Sequence, residues 1–141
     1  MTVCIDTNAL LPILSLAHPH GVILDGFIDG RFHWAISNEI LTEYREISEP
    51  RIGQARWNDF VAILESIGRI RGTLLRISPT YRHRLIVADP DDNKFTDCAI
   101  IAGADFIITE DKHFRVLAGS GYKPQAITPS EFIAQYLKAQ P

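Results

Sequence analysis

Cysteine is scarce in this chain. Two residues, Cys4 and Cys98, occur among 141, each inside an apolar segment. Two thiols cannot build the multi-bridge framework of a small secreted domain, and both read as buried core thiols in a reducing compartment. Long hydrophobic runs are missing as well. No apolar stretch approaches the roughly 18 residues that a membrane span needs, and no basic segment followed by an apolar one opens the chain. The expectation is a cytoplasmic protein with no membrane partner. Internal repeats and low-complexity tracts are absent, and so is a serine nucleophile elbow. Gly119-Ser120-Gly121 lacks the lysine and the spacing of a phosphate-cradling P-loop, and reads as a turn. His18 and His20 could ligate a metal, but Pro19 and Gly21 beside them suit a turn better.

What is present is ordinary in amount and uneven in placement. Hydrophobic residues make up 46% and charged residues 22%, as in a typical globular chain. The length predicts one domain over residues 1–141, with a core that buries roughly 68–70% of the unfolded surface. Net charge is −3. From Arg45 to Arg84, however, eight arginines face four acids, while the rest of the chain sets six bases against thirteen acids. A basic middle between acidic flanks suits a metal-dependent enzyme acting on nucleic acid; a solvated arginine face is the simpler reading.

The local patterns alternate strand and helix. Val3-Cys4-Ile5 is a buried strand that stops at Asp6-Thr7-Asn8. Residues 10–16 form a helix or turn, and residues 22–28 have helical spacing up to Asp29-Gly30. Residues 32–36 are a second strand, and Ser37 is a fitting N-cap for a helix over 38–47. Pro50 is expected to break that helix. Trp57, Phe60, Val61, Leu64 and Ile67 mark an amphipathic helix ending near Gly68. Residues 73–77 are a strand, and Leu85-Ile86-Val87 another apolar run. A helix over 93–103, a strand over 106–109, a short helix over 112–117, an edge strand at Ala126-Ile127 and a helix from Thr128-Pro129 through Leu137 complete the chain. Strands separated by helices predict a parallel sheet covered on both faces. Ligands bind such sheets beyond the carboxyl ends of strands, where the strand order reverses.

The chain is organised around residues 88–111, ADPDDNKFTDCAIIAGADFIITED. They contain Asp89, Asp91, Asp92, Asp97, Asp105 and Asp111 together with Glu110. Asp6 and Asp111 each follow a strand and so share its carboxyl rim. On the helix after the second strand, Glu43 falls about 60° from Ile40, at the border of the face that carries Tyr44 and Ile47. A carboxylate there is expensive unless paired. On the helix over 93–103, Phe95, Cys98, Ala99 and Ala102 form one face. Asp92 lies near its edge and Asp97 nearly opposite, which ranks Asp92 ahead of Asp97. Asp6, Asp92 and Asp111 could each be a helix N-cap worth about 1 kcal/mol. As a set they mean more. Two carboxylates about 4 Å apart repel by roughly 4 kcal/mol at an effective dielectric of 20, so several together raise their pKa values or recruit a cation. Oxygen-only ligands suit Mg²⁺ or Mn²⁺ rather than zinc. An aspartyl-nucleophile phosphatase also starts with a strand and an Asp, but it wants a second acid two residues on, where this chain has Asn8.

Five segments in order resemble the PIN-domain nucleases, in particular the toxin branch of bacterial toxin–antitoxin pairs: residues 3–8 (VCIDTN), 37–43 (SNEILTE), 89–95 (DPDDNKF), 102–111 (AGADFIITED) and 127–132 (ITPSEF). The resemblance implies a Rossmann-like three-layer α/β/α sandwich around a central, mainly parallel sheet. It implies an endoribonuclease dependent on one or two Mg²⁺ or Mn²⁺ ions. It carries the four acids onto Asp6, Glu43, Asp92 and Asp111, with Asn8 and Thr109 in support. Asp91 and Asp97 compete with Asp92 for the third place. Arg82 and Arg84 would hold the RNA backbone. The implied partners are an RNA substrate, a cognate antitoxin and a second copy of the chain, as a homodimer or higher homo-oligomer. A PIN-like RNA-binding or scaffold protein without catalysis is the rival from another class.

Overall fold

Val3, Cys4 and Ile5 are all fully buried, although successive strand residues point to opposite faces. Trp34, Ala35 and Ile36 are buried in the same way. Both faces of the sheet centre are therefore covered, which is why these strands read as unbroken apolar runs and not as alternating ones. A computed structural model describes residues 1–78, 93–117 and 121–138. Leu85-Ile86-Val87 and the Gly119-Ser120 pair lie outside the described residues.

The strands are β1 (Thr2–Ile5), β2 (His33–Ser37), β3 (Leu74–Ile77), β4 (Phe106–Ile108) and β5 (Gln125–Ile127). They form a parallel sheet in the order β3-β2-β1-β4-β5. Val3 lies beside Trp34 on one side and Phe106 on the other, and Ile5 lies beside Ile108. The chain steps outward from β1 through β2 to β3, then returns to β1's other side for β4 and β5. The order thus reverses between β1 and β4, and the crevice that such a reversal opens lies just past Ile5 and Ile108. This is the Rossmann-like α/β fold expected, with β5 at the edge.

The helices are α1 (Thr7–Leu14), α2 (Val22–Ile28), α3 (Asn38–Ile52), α4 (Gln54–Arg71), α5 (Asn93–Ala102) and α6 (Pro129–Phe132), the last continuing as a π-helical turn over Ile133–Leu137. Short 3-10 segments cover Pro19–Gly21 and Lys112–Leu117. Ser37 caps α3 as expected, accepting from the Ile40 N–H at 3.2 Å. Thr128 caps α6, accepting from the Glu131 N–H at 3.1 Å. Helix α5 lies across β1 to β4 and also meets α3. Around Trp34, rings from α2, α3 and α4 converge: Phe27 at 5.4 Å, Phe60 at 5.9 Å and Tyr44 at 6.3 Å between centroids. No single described helix is long and apolar enough to cross a membrane.

Three local expectations need correction. Pro50 does not break α3, which runs on to Ile52. A proline near a helix end removes a single ladder bond, and the stop comes at Gly53, whose φ of +92° few side chains could adopt. Gly68 does not end α4 either. The helix continues to Arg71 and closes on Gly72 in the left-handed region. Gly68 is instead a close-approach point, since a Cβ there would stand 2.6 Å from the Leu74 Cβ. Gly68→Ala should therefore destabilise the protein by about 1–3 kcal/mol through overpacking, despite alanine's better helix propensity. Urea unfolding checks this; a stabilised variant would mean that β3 moves aside freely. The third correction concerns Asp97, which the helical face placed away from the core but which is 1% exposed. Helix α5 buries Asn93, Phe95, Thr96, Asp97, Cys98 and Ala99, so more than one of its faces is covered.

Candidate active site at the carboxyl ends of β1 and β4

Asp6 is the first residue past β1, and its N–H still donates to Ile108 O across the sheet at 2.9 Å. Its carbonyl accepts from the Ala9 and Leu10 N–H groups, both at 3.0 Å, starting α1. Its side chain makes no cap hydrogen bond. The carboxylate turns instead to the strand-order reversal, where Thr109 Oγ1 donates to Asp6 Oδ2 at 2.9 Å. The simpler reading of Asp6 as a helix cap thus fails on its side chain. Asp6 is 3% exposed. Burial pushes its carboxyl up to about 6; the Thr109 hydroxyl opposes that shift, while the negative charges of Asp111 and Glu43 add to it.

Thr109 is the hub of this rim. It is 4% exposed, and its N–H donates to Ile127 O at 2.9 Å, which ties β4 to β5. Its hydroxyl donates to Asp6 and accepts from the Asp111 N–H at 2.9 Å. One side chain therefore sets the positions of two acids 105 residues apart in sequence. Asp111 does serve as a cap: its Oδ1 accepts from the His113 N–H at 2.9 Å at the start of the 3-10 turn. Capping leaves its charge close enough to be felt at Asp6.

Glu43 comes from α3 and is half-buried, as its border position on the helix predicted. One oxygen accepts from the Thr7 hydroxyl. The other, Oε1, lies 2.8 Å from Lys94 Nζ. Lys94 sits in the first turn of α5, and its side chain is only 11% exposed. Its ammonium also lies 5.7 Å from the Phe95 ring centroid, within the reach of a cation–π contact. Sequence reasoning gave Lys94 and Thr7 no role. The signal was there for Lys94, the one base among residues 88–111.

The remaining candidates sort by place. Asn8 is exposed in the first turn of α1, and Asp97 is buried on α5 one turn past Lys94. Asp105 lies at the opposite, amino end of β4. There it accepts from the Thr2 N–H at 3.0 Å and pairs with Lys123 at 2.5 Å. These two contacts hold its carboxyl below the usual range and mark it as a structural tie. Asp89, Asp91 and Asp92, and the arginines Arg82 and Arg84 expected to hold the RNA backbone, lie outside the described residues. Of the basic middle, Arg45 pairs with Glu49 at 2.7 Å, Arg76 approaches Glu65 at 3.9 Å, and Arg56 donates to the Leu14 carbonyl.

Beside Asp111, a cleft of about 250 Å³ opens past the ends of β4 and β5, lined by Thr109, Glu110, Asp111, Lys112, Thr128 and Glu131 among others. A substrate group entering it would meet the rim from the side. The carboxylate oxygens of Asp6, Asp111 and Glu43 are the donors that a hard divalent cation takes, although the Lys94 ammonium already offsets the charge of Glu43. Among the described residues, no three His, Cys, Asp or Glu side chains gather closely enough to hold a metal by themselves. A complete site would need the third acid expected from the sequence, for which Asp91, Asp92 and Asp97 compete.

The family model described as PIN domain matches residues 2–113, which takes in β1 to β4 and every acid of this rim. No curated protein and no solved structure matches the chain.

Proposed function

The chain belongs to the PIN-domain family, whose members are generally nucleases and typically use divalent metals, and on that premise we propose that it is a Mg²⁺- or Mn²⁺-dependent endoribonuclease hydrolysing RNA phosphodiester bonds. The observation that carries this reading is Asp6: a buried carboxylate that does not cap its own helix, is anchored by Thr109, and has its pKa raised in part by two neighbouring acids.

When bound, a divalent cation would polarise the phosphoryl oxygen and make water a better nucleophile near neutral pH. Asp6 and Asp111 are the described residues suited to hold it, with Asp92 and Glu43 as the further ligands that the motif resemblance implies. Thr109 fixes one Asp6 oxygen and the Asp111 backbone, so the two carboxylates need not be ordered anew when the cation arrives. Catalysis of this kind depends on such pre-set geometry more than on covalent chemistry. The order of motifs further supports the toxin of a toxin–antitoxin pair, acting in the cytoplasm as a homo-oligomer held in check by a small antitoxin.

Incubating the protein with a mixed RNA pool tests the reading. Cleavage is expected with Mn²⁺ and none with EDTA. Binding without cleavage under both conditions would favour the non-catalytic RNA-binding or scaffold alternative, and cleavage that survives EDTA would remove the metal.

A further inference from the structure

Glu43 spends both of its oxygens inside the protein, one on the Thr7 hydroxyl and one on the Lys94 ammonium. Thr7 directly follows Asp6, so this pair abuts the acid at the centre of the rim. A half-buried carboxylate is costly to leave without an opposite charge, and the Lys94 ammonium supplies one. Lys94 therefore already plays the part that a cation would play for Glu43. It brings a positive charge to one of the carboxylates implied as a metal ligand.

We propose that Lys94 is a resident counter-cation that a divalent metal must displace from Glu43 or bind in spite of. With the ammonium in place, Glu43 is neutralised and the described rim offers Asp6 and Asp111 alone. When Lys94 swings away, Glu43 returns both an oxygen and a negative charge. Metal affinity is then set by an exchange between two cations, and it is lower than the carboxylates would give without the lysine. The long, flexible lysine stem suits this role, whereas a guanidinium would keep the positive charge while gripping both oxygens more rigidly. The inference rests on the metal-site reading above and adds what governs the filling of that site.

The test is calorimetric titration of Mn²⁺ into the wild type, Lys94→Gln, Lys94→Met and Lys94→Arg at neutral pH and low salt, with thermal midpoints of the metal-free proteins. Both neutral variants should bind Mn²⁺ about tenfold more tightly, within the roughly 5- to 150-fold span of such couplings. Their metal-free midpoints should fall, because Glu43 loses its partner. Lys94→Arg should bind no more tightly than wild type. Two neutral side chains guard against one failing to fold. If wild type binds Mn²⁺ and the folded neutral variants bind equally or more weakly, Lys94 does not compete and the inference is overturned while the metal reading stands. If neither wild type nor the neutral variants bind Mn²⁺, the metal reading itself falls and the inference falls with it.

Discussion

Asp6→Asn is expected to abolish metal-dependent RNA cleavage and, at the same time, to make the metal-free protein more stable at pH 7.5. The first effect follows from removing the central carboxylate. The second follows from its raised pKa. Asp6 ionises near pH 6 in the folded protein and near 3.9 in an unfolded chain. A group raised in this way favours the folded state fully below the unfolded value and loses that contribution as pH rises through the folded value. For Asp6 the loss runs from about pH 4 to about pH 6 and amounts to roughly 1–3 kcal/mol. Asparagine keeps an oxygen to accept from Thr109 but carries no charge, so above pH 6 it escapes the penalty. Urea unfolding of both proteins in EDTA at pH 4 and pH 7.5 should show the variant's advantage growing with pH. A variant less stable than wild type at pH 7.5 would mean that the Asp6 charge is compensated inside the protein.

Trp34→Ala carries the largest expected loss of stability, about 3–5 kcal/mol. Trp34 is fully buried on β2, and its indole meets rings from three helices. Removing it would uncouple α2, α3 and α4 from the sheet. Against a total of about 5–15 kcal/mol for a domain, much of the population would unfold on mild warming. Circular dichroism during thermal unfolding reads this. A shift equivalent to less than about 1 kcal/mol would show that the aromatic cluster repacks and that the core is held elsewhere.

How far the chain could be read in advance depended on how local each cause was. β1 stopping just before Asp6, the Ser37 cap and the Val22–Ile28 helix follow from patterns spanning a few residues, and the structure keeps them. The parallel sheet followed from strands separated by helices. Glu43 on its helix border was legible because helical periodicity is fixed. Asp97 was not, since a periodicity argument assumes one buried face, whereas α5 lies against four strands and α3. Pro50 and Gly68 carried the usual signals of a stop. Those signals were outweighed by helix continuation to Gly53 and by Leu74 packing against α4. The Lys94–Glu43 pair joins residues 51 positions apart through a flexible stem, and no short-range pattern encodes such a reach. Motif spacing still favours Asp92 over Asp91 and Asp97, whereas the helical-face argument against Asp97 does not survive its burial.

The central claim is that acids meeting where the strand order reverses, with Asp6 at their centre, bind a divalent cation. A thermal melt of wild type and Asp6→Asn at pH 7.5, with and without saturating Mn²⁺, tests it most directly. Ligand linkage should raise the wild-type midpoint by several degrees and leave the variant unmoved. An equal rise in both proteins, or no rise in wild type, would contradict it.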